Sequence, residues 1–240
     1  FLVINSLKKI IEEKNLSTTV GDEGGFAPSL KKNEDAINLI LKSIEKAGFR
    51  PGEDISICLD VASNELFNEN KYSVESTKMK KPEETADYYL KLIKKYPIKS
   101  IEDPFFEDDW KSWTNFMKSL EKNKIEAQIV GDDLFVTNKE RLNKGIIEKA
   151  ANAILIKPNQ IGTITETLEV IDLAHKNGFK TIISHRSGDS EDTFIADLAV
   201  ATNSSQIKTG SLARSERVAK YNRLIRIEEE LGNSAKMARI

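Results

Sequence analysis

The sequence predicts an α/β fold in which parallel strands alternate with helices and close into a barrel. Short apolar segments rich in Ile and Val recur from about residue 55 onward, and amphipathic segments with helix caps lie between them. Every apolar segment ends in an ionisable side chain, as the strands of a catalytic barrel do. The alternative is a doubly wound open sheet. It is disfavoured because no glycine-rich dinucleotide fingerprint follows any strand and because an open sheet gathers its site at one switch point.

Two helices precede the repeating part of the chain. Apolar residues recur at helical spacing from Val3 to Ile11, before a glycine-rich loop at 21–25. Asn33 is expected to cap a second helix, which ends at Gly48. Helix, loop and helix therefore lie ahead of the first strand.

Six strands are predicted, with ends roughly 30 residues apart, about the length of one strand, helix and return. They are 55–60, 98–103, 127–133, 153–157, 181–185 and 206–210. A hairpin at 66–74 is expected in the first connection, which is also the longest. Six such units are two short of the eight in a complete barrel.

The intervening helices have recognisable starts and stops. Pro82 and Pro97 are expected at the two ends of one helix, Asp108 or Asp109 is expected to cap Trp110–Leu120, and Asn138 to cap the next helix. Thr163 with Glu166 forms a capping box before a helix that ends at Gly178. Ser190 is expected to cap 191–201, and Gly232 follows a last helix over 215–231.

Composition excludes several classes of protein. The 240 residues (27.0 kDa) carry a net charge of −2 with a mean hydropathy of −0.41, which gives no basic field for general nucleic-acid binding. No apolar run approaches the roughly 18 residues that membrane insertion needs, so a cytoplasmic protein is expected. The single cysteine, Cys58, cannot form an intramolecular disulfide and is predicted to be a core residue. We expect one domain over 1–240. Because Phe1 already lies inside a helical pattern, we also expect that part of a longer protein precedes it.

Three carboxylates end the first three strands. Asp60, Glu102 and Asp132 would project side by side into the barrel mouth, where unpaired they would repel one another. An oxygen-only ligand set suits Mg²⁺ or Mn²⁺ rather than Zn²⁺. Each alone could equally be a helix cap or part of a surface ion pair, but the three together favour a metal site. Asp103 and Asp133 are expected at helix starts or behind the ligands.

Two lysines end strands across the mouth from these carboxylates. Lys157 and Lys208 would be buried beside a metal and beside each other, which disfavours the charged form of a lysine. A lysine driven toward neutrality can act as a base. A snorkelling lysine would be the better interpretation if only one were present.

An anion site is predicted after the fifth strand. His185, Arg186 and Ser187 lead into the helix that Ser190 is expected to cap, and a guanidinium, a hydroxyl and free N–H groups suit a phosphate. Glu23 lies among the glycines of the 21–25 loop, which can bring a carboxylate close to a ligand.

These residues stand within longer segments that resemble the enolase family. The segments are VGDEGGFAPSL, LDVAS, SIEDPFFEDDW, VGDDLFVTN, LIKPNQIGT, SHRSGDSEDTFIADLAVA and KTGSLARSERVAKYNRLIRIEEELG, and they run in order through essentially the whole chain. The resemblance implies a barrel of ββαα(βα)₆ order, with its first two strands and an N-terminal α+β domain absent from this chain.

The resemblance also implies a lyase of glycolysis that interconverts 2-phosphoglycerate and phosphoenolpyruvate. Asp60, Glu102 and Asp132 match ligands of Mg²⁺, of which the complete enzyme binds two. Lys157 matches the base that takes the C2 proton, and Glu23 matches a carboxylate that assists departure of the C3 hydroxide.

The remaining matches concern the substrate. His185, Arg186 and Ser187 match a substrate-holding segment, with Arg186 on the phosphate, and Lys208 matches a lysine facing the substrate carboxylate. The metal ligands Glu102 and Asp132 are also expected beside the substrate.

Further expectations follow from the resemblance. They are a homodimer or dimer-based oligomer, a cytoplasmic enzyme with a cell-surface or secreted pool possible, and no activity for these 240 residues alone. Two other interpretations stay open: a related superfamily enzyme acting on another carboxylate, and a module that only binds. The phosphate segment at 185–188 argues against the first.

Overall fold

The segments predicted as strands pair into one parallel sheet in the computed structural model, which describes residues 1–75 and 78–238. Its strands follow the order β1-β4-β5-β6-β7-β8, with the separate hairpin β2-β3 beside it. The strands are β1 (Ile57–Asp60), β2 (Phe67–Asn68), β3 (Lys71–Tyr72), β4 (Ile98–Glu102), β5 (Gln128–Gly131), β6 (Ala153–Ile156), β7 (Lys180–Ser184) and β8 (Gln206–Lys208). The predicted α/β fold with parallel strands is confirmed.

Helices lie between successive strands, and most of them pack against the outer side of this sheet. The helices are α1 (Leu2–Glu13), α2 (Asn33–Lys46), α3 (Pro82–Lys95), α4 (Trp110–Lys122), α5 (Lys139–Glu148), α6 (Pro158–Ile161), α7 (Ile164–Lys176), α8 (Phe194–Ala201) and α9 (Ser215–Leu231), with short 3₁₀ turns at Ser63–Leu66 and Gly232–Ser234. The single turn α6 was not predicted. It begins at Pro158, whose fixed φ suits a first helical position, and ends at Gly162 with φ +108°. Among the described residues, no helix is long and apolar enough to cross a membrane.

Successive residues of the strands face different cores, as the period of two in a strand requires. On β6, Ile154 and Ile156 belong to the large core between the sheet and its helices, whereas Ala153 and Leu155 belong to a small cluster with Val130 and Ile182. The second cluster fills part of the concave face of the sheet. Strands covered on both faces explain why the segments are almost wholly apolar.

The concave face carries a polar layer beside this cluster. Gln128 on β5 and Gln206 on β8 exchange amide hydrogen bonds of 3.1 and 2.7 Å, and Gln128 also donates to Ser100 on β4. Two strands, β6 and β7, separate β5 from β8 in the sheet. The sheet must therefore curl for these amides to meet, which is the curvature of a partial barrel.

The prediction that Cys58 is a core residue is wrong. Cys58 is exposed. On β1 it points to the same side as Asp60, toward the concave face, and β1 is an edge strand of the sheet among the described residues. A small apolar residue at an edge is covered only where another element packs over it, which the sequence pattern does not reveal.

Several predicted caps are confirmed. The Asp109 carboxylate accepts from Ser112 N–H at 3.2 Å, and the Asn138 side chain accepts from Arg141 N–H at 2.9 Å. Half of the box at Thr163 forms, because its hydroxyl accepts from Glu166 N–H while the Glu166 carboxylate accepts from that hydroxyl rather than from the backbone. These signals are local, so the sequence was sufficient to find them.

Two predicted caps are wrong. Asn33 is the first residue of α2, where Lys32 N–H donates to Asp35, and the Asn33 amide instead donates to Val74 O and Tyr88 Oη. The helix expected from Ser190 begins only at Phe194. Asn33 bonds to partners outside its own helix, and side chains of Asp189 and Asp192 accept the backbone N–H groups of Ser190 and Phe194 before α8 begins. The capping pattern alone does not indicate such competing bonds.

Candidate active site

The predicted site residues meet at the carboxyl ends of the strands. A cavity of about 500 Å³ there is lined by eight of the nine side chains that the sequence indicated: Glu23, Asp60, Asp132, Lys157, His185, Arg186, Ser187 and Lys208. The ninth, Glu102, is only 6% exposed and lies beneath the cavity, where it bonds to Lys208. Parallel strands bring their carboxyl ends to one edge, so residues from the full length of the chain come together.

The first two carboxylates lie side by side because their strands are in register. Asp60 and Glu102 are paired positions of β1 and β4, and the Nζ of Lys208 lies 2.7 Å from one carboxylate and 2.8 Å from the other. Burial first, and the neighbouring Asp60 second, raise the pKa of Glu102 to about 7, against the opposing effect of Lys208.

The loss of a proton from Lys208, which is expected beside a bound cation, stays a prediction, because Lys208 lies between two carboxylates in this structure. Burial lowers the pKa of Lys208, but Glu102 and Asp60 together outweigh burial and raise it above its ordinary value. An ammonium between two carboxylates is stabilised, whereas the sequence argument placed it beside a cation.

The second lysine has one acidic partner. The Nζ of Lys157 lies 2.5 Å from Oδ2 of Asp132, and both side chains are mostly buried. Lys157 follows β6 directly, and its backbone N–H donates to the hydroxyl of Thr137, which is itself buried. The lysine is thus fixed at its base and directed across the mouth toward the carboxylates.

Asp103 organises the loop that carries Asp132. Its two carboxylate oxygens accept the backbone N–H groups of Asp132 and Asp133, each at 2.9 Å. Burial raises the pKa of Asp103 well above its ordinary value. A supporting role behind the ligands, as predicted from the sequence, agrees with these bonds.

Two sets of acidic residues could hold a cation. One oxygen each of Asp103, Asp132 and Asp133 lie within 4.8 Å of one another. The predicted set of Asp60, Glu102 and Asp132 is not gathered this closely in the part of the chain that the structure describes, where Asp60 and Glu102 hold the ammonium of Lys208 instead. Oδ1 of Asp132 is buried without a hydrogen-bond partner among the described residues, so a ligand atom is left free at the point the two sets share. An oxygen-only set with one free buried oxygen fits Mg²⁺, provided that the lysines release the carboxylates.

Glu23 reaches the mouth from the 21–25 loop. Its Oε2 lies 3.3 Å from Nε2 of His185, and its Oε1 accepts from the Ser187 hydroxyl at 3.4 Å. The contact with His185 is the largest cause that lowers the pKa of Glu23 to about 2, while partial burial opposes it. Glu23 is therefore ionised at neutral pH in this arrangement.

A close backbone approach holds the loop of Glu23 in place. Ser211 N–H donates to the carbonyl of Glu23 at 2.8 Å, and a Cβ at Gly210 would lie 2.7 Å from the same carbonyl oxygen. Gly210 also has φ +77°. Glycine is therefore required at this position for two reasons, the lack of space for a Cβ and the left-handed backbone conformation. The segment after β8 thus positions the loop that precedes β1.

The sequence argument missed several residues of the site. Asn159, on α6, lines the cavity and accepts from the Arg186 guanidinium at 3.2 Å. Arg217, on α9, is fully buried against His185, and Lys220 one turn later donates to Ser190 O. The only available signal was the spacing of Arg217, Lys220 and Tyr221, which places three polar side chains on one face of a helix.

Fold and mouth together define a TIM-like α/β barrel domain with its charged residues at the carboxyl ends of the strands. The family profile described as "Enolase, C-terminal TIM barrel domain" matches residues 2–240, and the chain belongs to that family. The resemblance identified from the sequence motifs is thereby confirmed.

A curated relative agrees with this assignment. The enolase of Pelagibacter ubique (strain HTCC1062) is 63% identical over 240 residues, which are 100% of this chain and 56% of that protein. The chain therefore spans just over half the length of this relative.

Proposed function

We propose that this chain provides the catalytic barrel of an enolase, which dehydrates 2-phosphoglycerate reversibly to phosphoenolpyruvate. The observation that carries the proposal is the composition of one cavity. It holds acidic residues for a cation, two strand-end lysines and a phosphate-type segment at 185–188. Membership of the enolase family and the enolase named above support the same reaction.

Asp60, Glu102 and Asp132 would hold Mg²⁺, two ions per site in the complete enzyme by family resemblance. When bound, Mg²⁺ would supply concentrated positive charge near the substrate carboxylate, where negative charge grows as the C2 proton leaves. The competing set is Asp103, Asp132 and Asp133, but both carboxylate oxygens of Asp103 accept backbone N–H groups that hold the loop of Asp132. Asp60 and Glu102 hold the ammonium of Lys208, which a divalent cation can replace, and that favours the set of Asp60, Glu102 and Asp132.

Lys157 would take the C2 proton. It points across the mouth from β6, and cation binding by Asp132 would separate its amine from that carboxylate. A neutral amine would then be free to accept a proton. Lys208, once released from Glu102 and Asp60, would instead meet the substrate carboxylate, whose negative charge favours an ammonium there.

Arg186 and the neighbouring Ser187 would hold the phosphate, with His185 beneath them and Asn159 orienting the guanidinium. Glu23 would assist the departing C3 hydroxide. A carboxyl group with a pKa of about 2 is ionised at neutral pH and is a poor proton donor. The negative charges of the bound substrate would raise the pKa of Glu23 and so favour its protonated form, which can donate to the departing hydroxide.

The test is phosphoenolpyruvate formation by the full-length protein, measured with and without a chelator of divalent cations. Mg²⁺-dependent turnover of 2-phosphoglycerate, with none on unphosphorylated glycerate, is expected. Comparable turnover of glycerate would favour the related superfamily enzyme instead. Binding of 2-phosphoglycerate without turnover, under saturating Mg²⁺, would favour a module that only binds.

Two further expectations stay predictions from the resemblance: a homodimeric assembly and a cytoplasmic location. The expectation that the 240 residues alone are inactive also stays a prediction. β1 and β8 are unpaired sheet edges among the described residues, and exposed edges and apolar surface at such a gap disfavour stable folding. Thermal unfolding and turnover of the 240-residue chain would test it, and near-normal turnover would contradict it.

A further inference from the structure

A fully buried guanidinium lies directly behind the mouth. Arg217 on α9 is 0% exposed, and among the described residues two carboxylates approach it, Oε1 of Glu216 at 3.6 Å and Oδ2 of Asp189 at 3.7 Å. Burying a charge is costly unless its hydrogen bonds are satisfied. The side chain must therefore be understood from the bonds that it makes.

Those bonds connect two segments of the mouth. One terminal nitrogen of Arg217 lies 2.7 Å from Nδ1 of His185 and donates to Arg186 O at 2.7 Å. The other donates to Ser187 O at 2.7 Å and to Asp22 O at 3.2 Å. A single planar group thus joins the backbone of the 185–188 segment to the loop that carries Glu23.

The contact with His185 fixes where the imidazole carries its proton. A guanidinium has five N–H donors and no acceptor, so Arg217 donates and Nδ1 of His185 accepts. An imidazole that accepts at Nδ1 carries its hydrogen on Nε2. That nitrogen lies 3.3 Å from Oε2 of Glu23, although it makes no hydrogen bond among the described residues.

We propose that Arg217 is a positioning residue for the proposed reaction: it holds His185 as the Nε2–H tautomer directed at Glu23, and it ties the Glu23 loop to the segment that would bind phosphate. The inference rests on the proposed function for its catalytic meaning. The tautomer itself is a property of the protein without substrate, so it can be tested separately.

Long-range ¹H–¹⁵N correlation of the ¹⁵N-labelled full-length protein distinguishes the two imidazole tautomers, with the His185 signals assigned by their loss in His185→Asn. The Nε2–H pattern is expected. His185 as the Nδ1–H tautomer in the unsubstituted protein would overturn the proposal, whatever the activity measurements give.

The informative variants are Arg217→Lys and Arg217→Met. Lysine keeps a charge but lacks the planar fork, and methionine keeps length but donates nothing. In both we expect the Nε2–H pattern of His185 to be lost or mixed, and kcat/KM to fall about 10- to 100-fold, as for other supporting partners of a site. Arg217→Lys serves if Arg217→Met does not fold.

Arg223→Met is the matched control, because Arg223 lies on the same helix but pairs with Asp197 and Glu230 away from the mouth. It should keep the His185 pattern. Folded Arg217 variants that retain the unsubstituted pattern would show that Arg217 only stabilises the fold. If the tautomer shifts as expected but the unsubstituted protein has no enolase activity, the proposed function fails and the positioning role stands.

Discussion

The ammonium of Lys208 lies 2.8 Å from the carboxylate of Glu102, although three strands separate β8 from β4 in the order of the sheet. Only a curled sheet brings these two side chains together. The same ammonium holds Asp60, on the opposite edge strand, at 2.7 Å. Two of the three predicted metal ligands are thus held by one lysine at the mouth, and the first prediction follows from this competition.

Glu102→Ala should abolish tight Mg²⁺ binding, because it removes an oxygen from the proposed ligand set. Lys208→Met should bind Mg²⁺ at least as tightly as the unsubstituted protein, since no ammonium then competes for the carboxylates, but it should lose turnover. Isothermal calorimetry with Mg²⁺ alone measures binding by both variants, and phosphoenolpyruvate formation measures turnover. Asp172→Ala, which changes an exposed carboxylate on α7, is the control. Tight Mg²⁺ binding retained in Glu102→Ala would remove this residue from the ligand set.

Lys157→Ala should stop exchange of the C2 proton of 2-phosphoglycerate with deuterated solvent, because the proposed base is gone. Glu23→Gln should behave differently, keeping the exchange while losing dehydration, since Glu23 acts after the proton has left. Proton NMR of the substrate follows the exchange, and phosphoenolpyruvate formation follows the dehydration. Normal exchange by Lys157→Ala would mean that another group is the base.

Glu23 should stabilise the fold in a pH-dependent way. Its pKa is lowered from 4.5 to about 2 in the folded protein, so the folded state favours the ionised form. The stabilisation is complete above the unfolded pKa and is lost as pH falls through the folded value. The difference in free energy of unfolding between the unsubstituted protein and Glu23→Gln should therefore shrink between about pH 4.5 and pH 2. Urea unfolding at several pH values measures it, and a constant difference would contradict the assigned pKa.

Gly145→Ala should destabilise the domain, although alanine ordinarily favours a helix interior. A Cβ at Gly145 on α5 would lie 2.3 Å from the ring of Phe135, which is fully buried. Overpacking of this kind costs about 1–3 kcal/mol. The double variant Phe135→Leu with Gly145→Ala should lose less stability than the two single changes added together, because the smaller side chain makes room. Strict additivity in urea unfolding would show that the two residues do not compete for space.

The sequence alone determined the alternation of strands and helices and the residue at each strand end. Local rules suffice for both, because apolar runs, prolines and caps such as Asp109 and Asn138 act within one turn of the chain. The meeting of the strand-end side chains at one mouth could be predicted for the same reason: parallel strands present their carboxyl ends at one edge, so the last polar residues of the strands had to converge.

Tertiary structure decided what those side chains contact. Arg217 reaches His185 across 32 positions, Lys208 reaches Asp60 across 148, and Asn33 bonds to Val74 rather than capping its own helix. Cys58 lies on the edge strand β1 and is exposed. Its burial depends on whether another element packs over that strand, which the residue pattern does not reveal. Such partners are brought together by the curl of the sheet and the packing of helices, and neither is encoded in the spacing of residues along the chain.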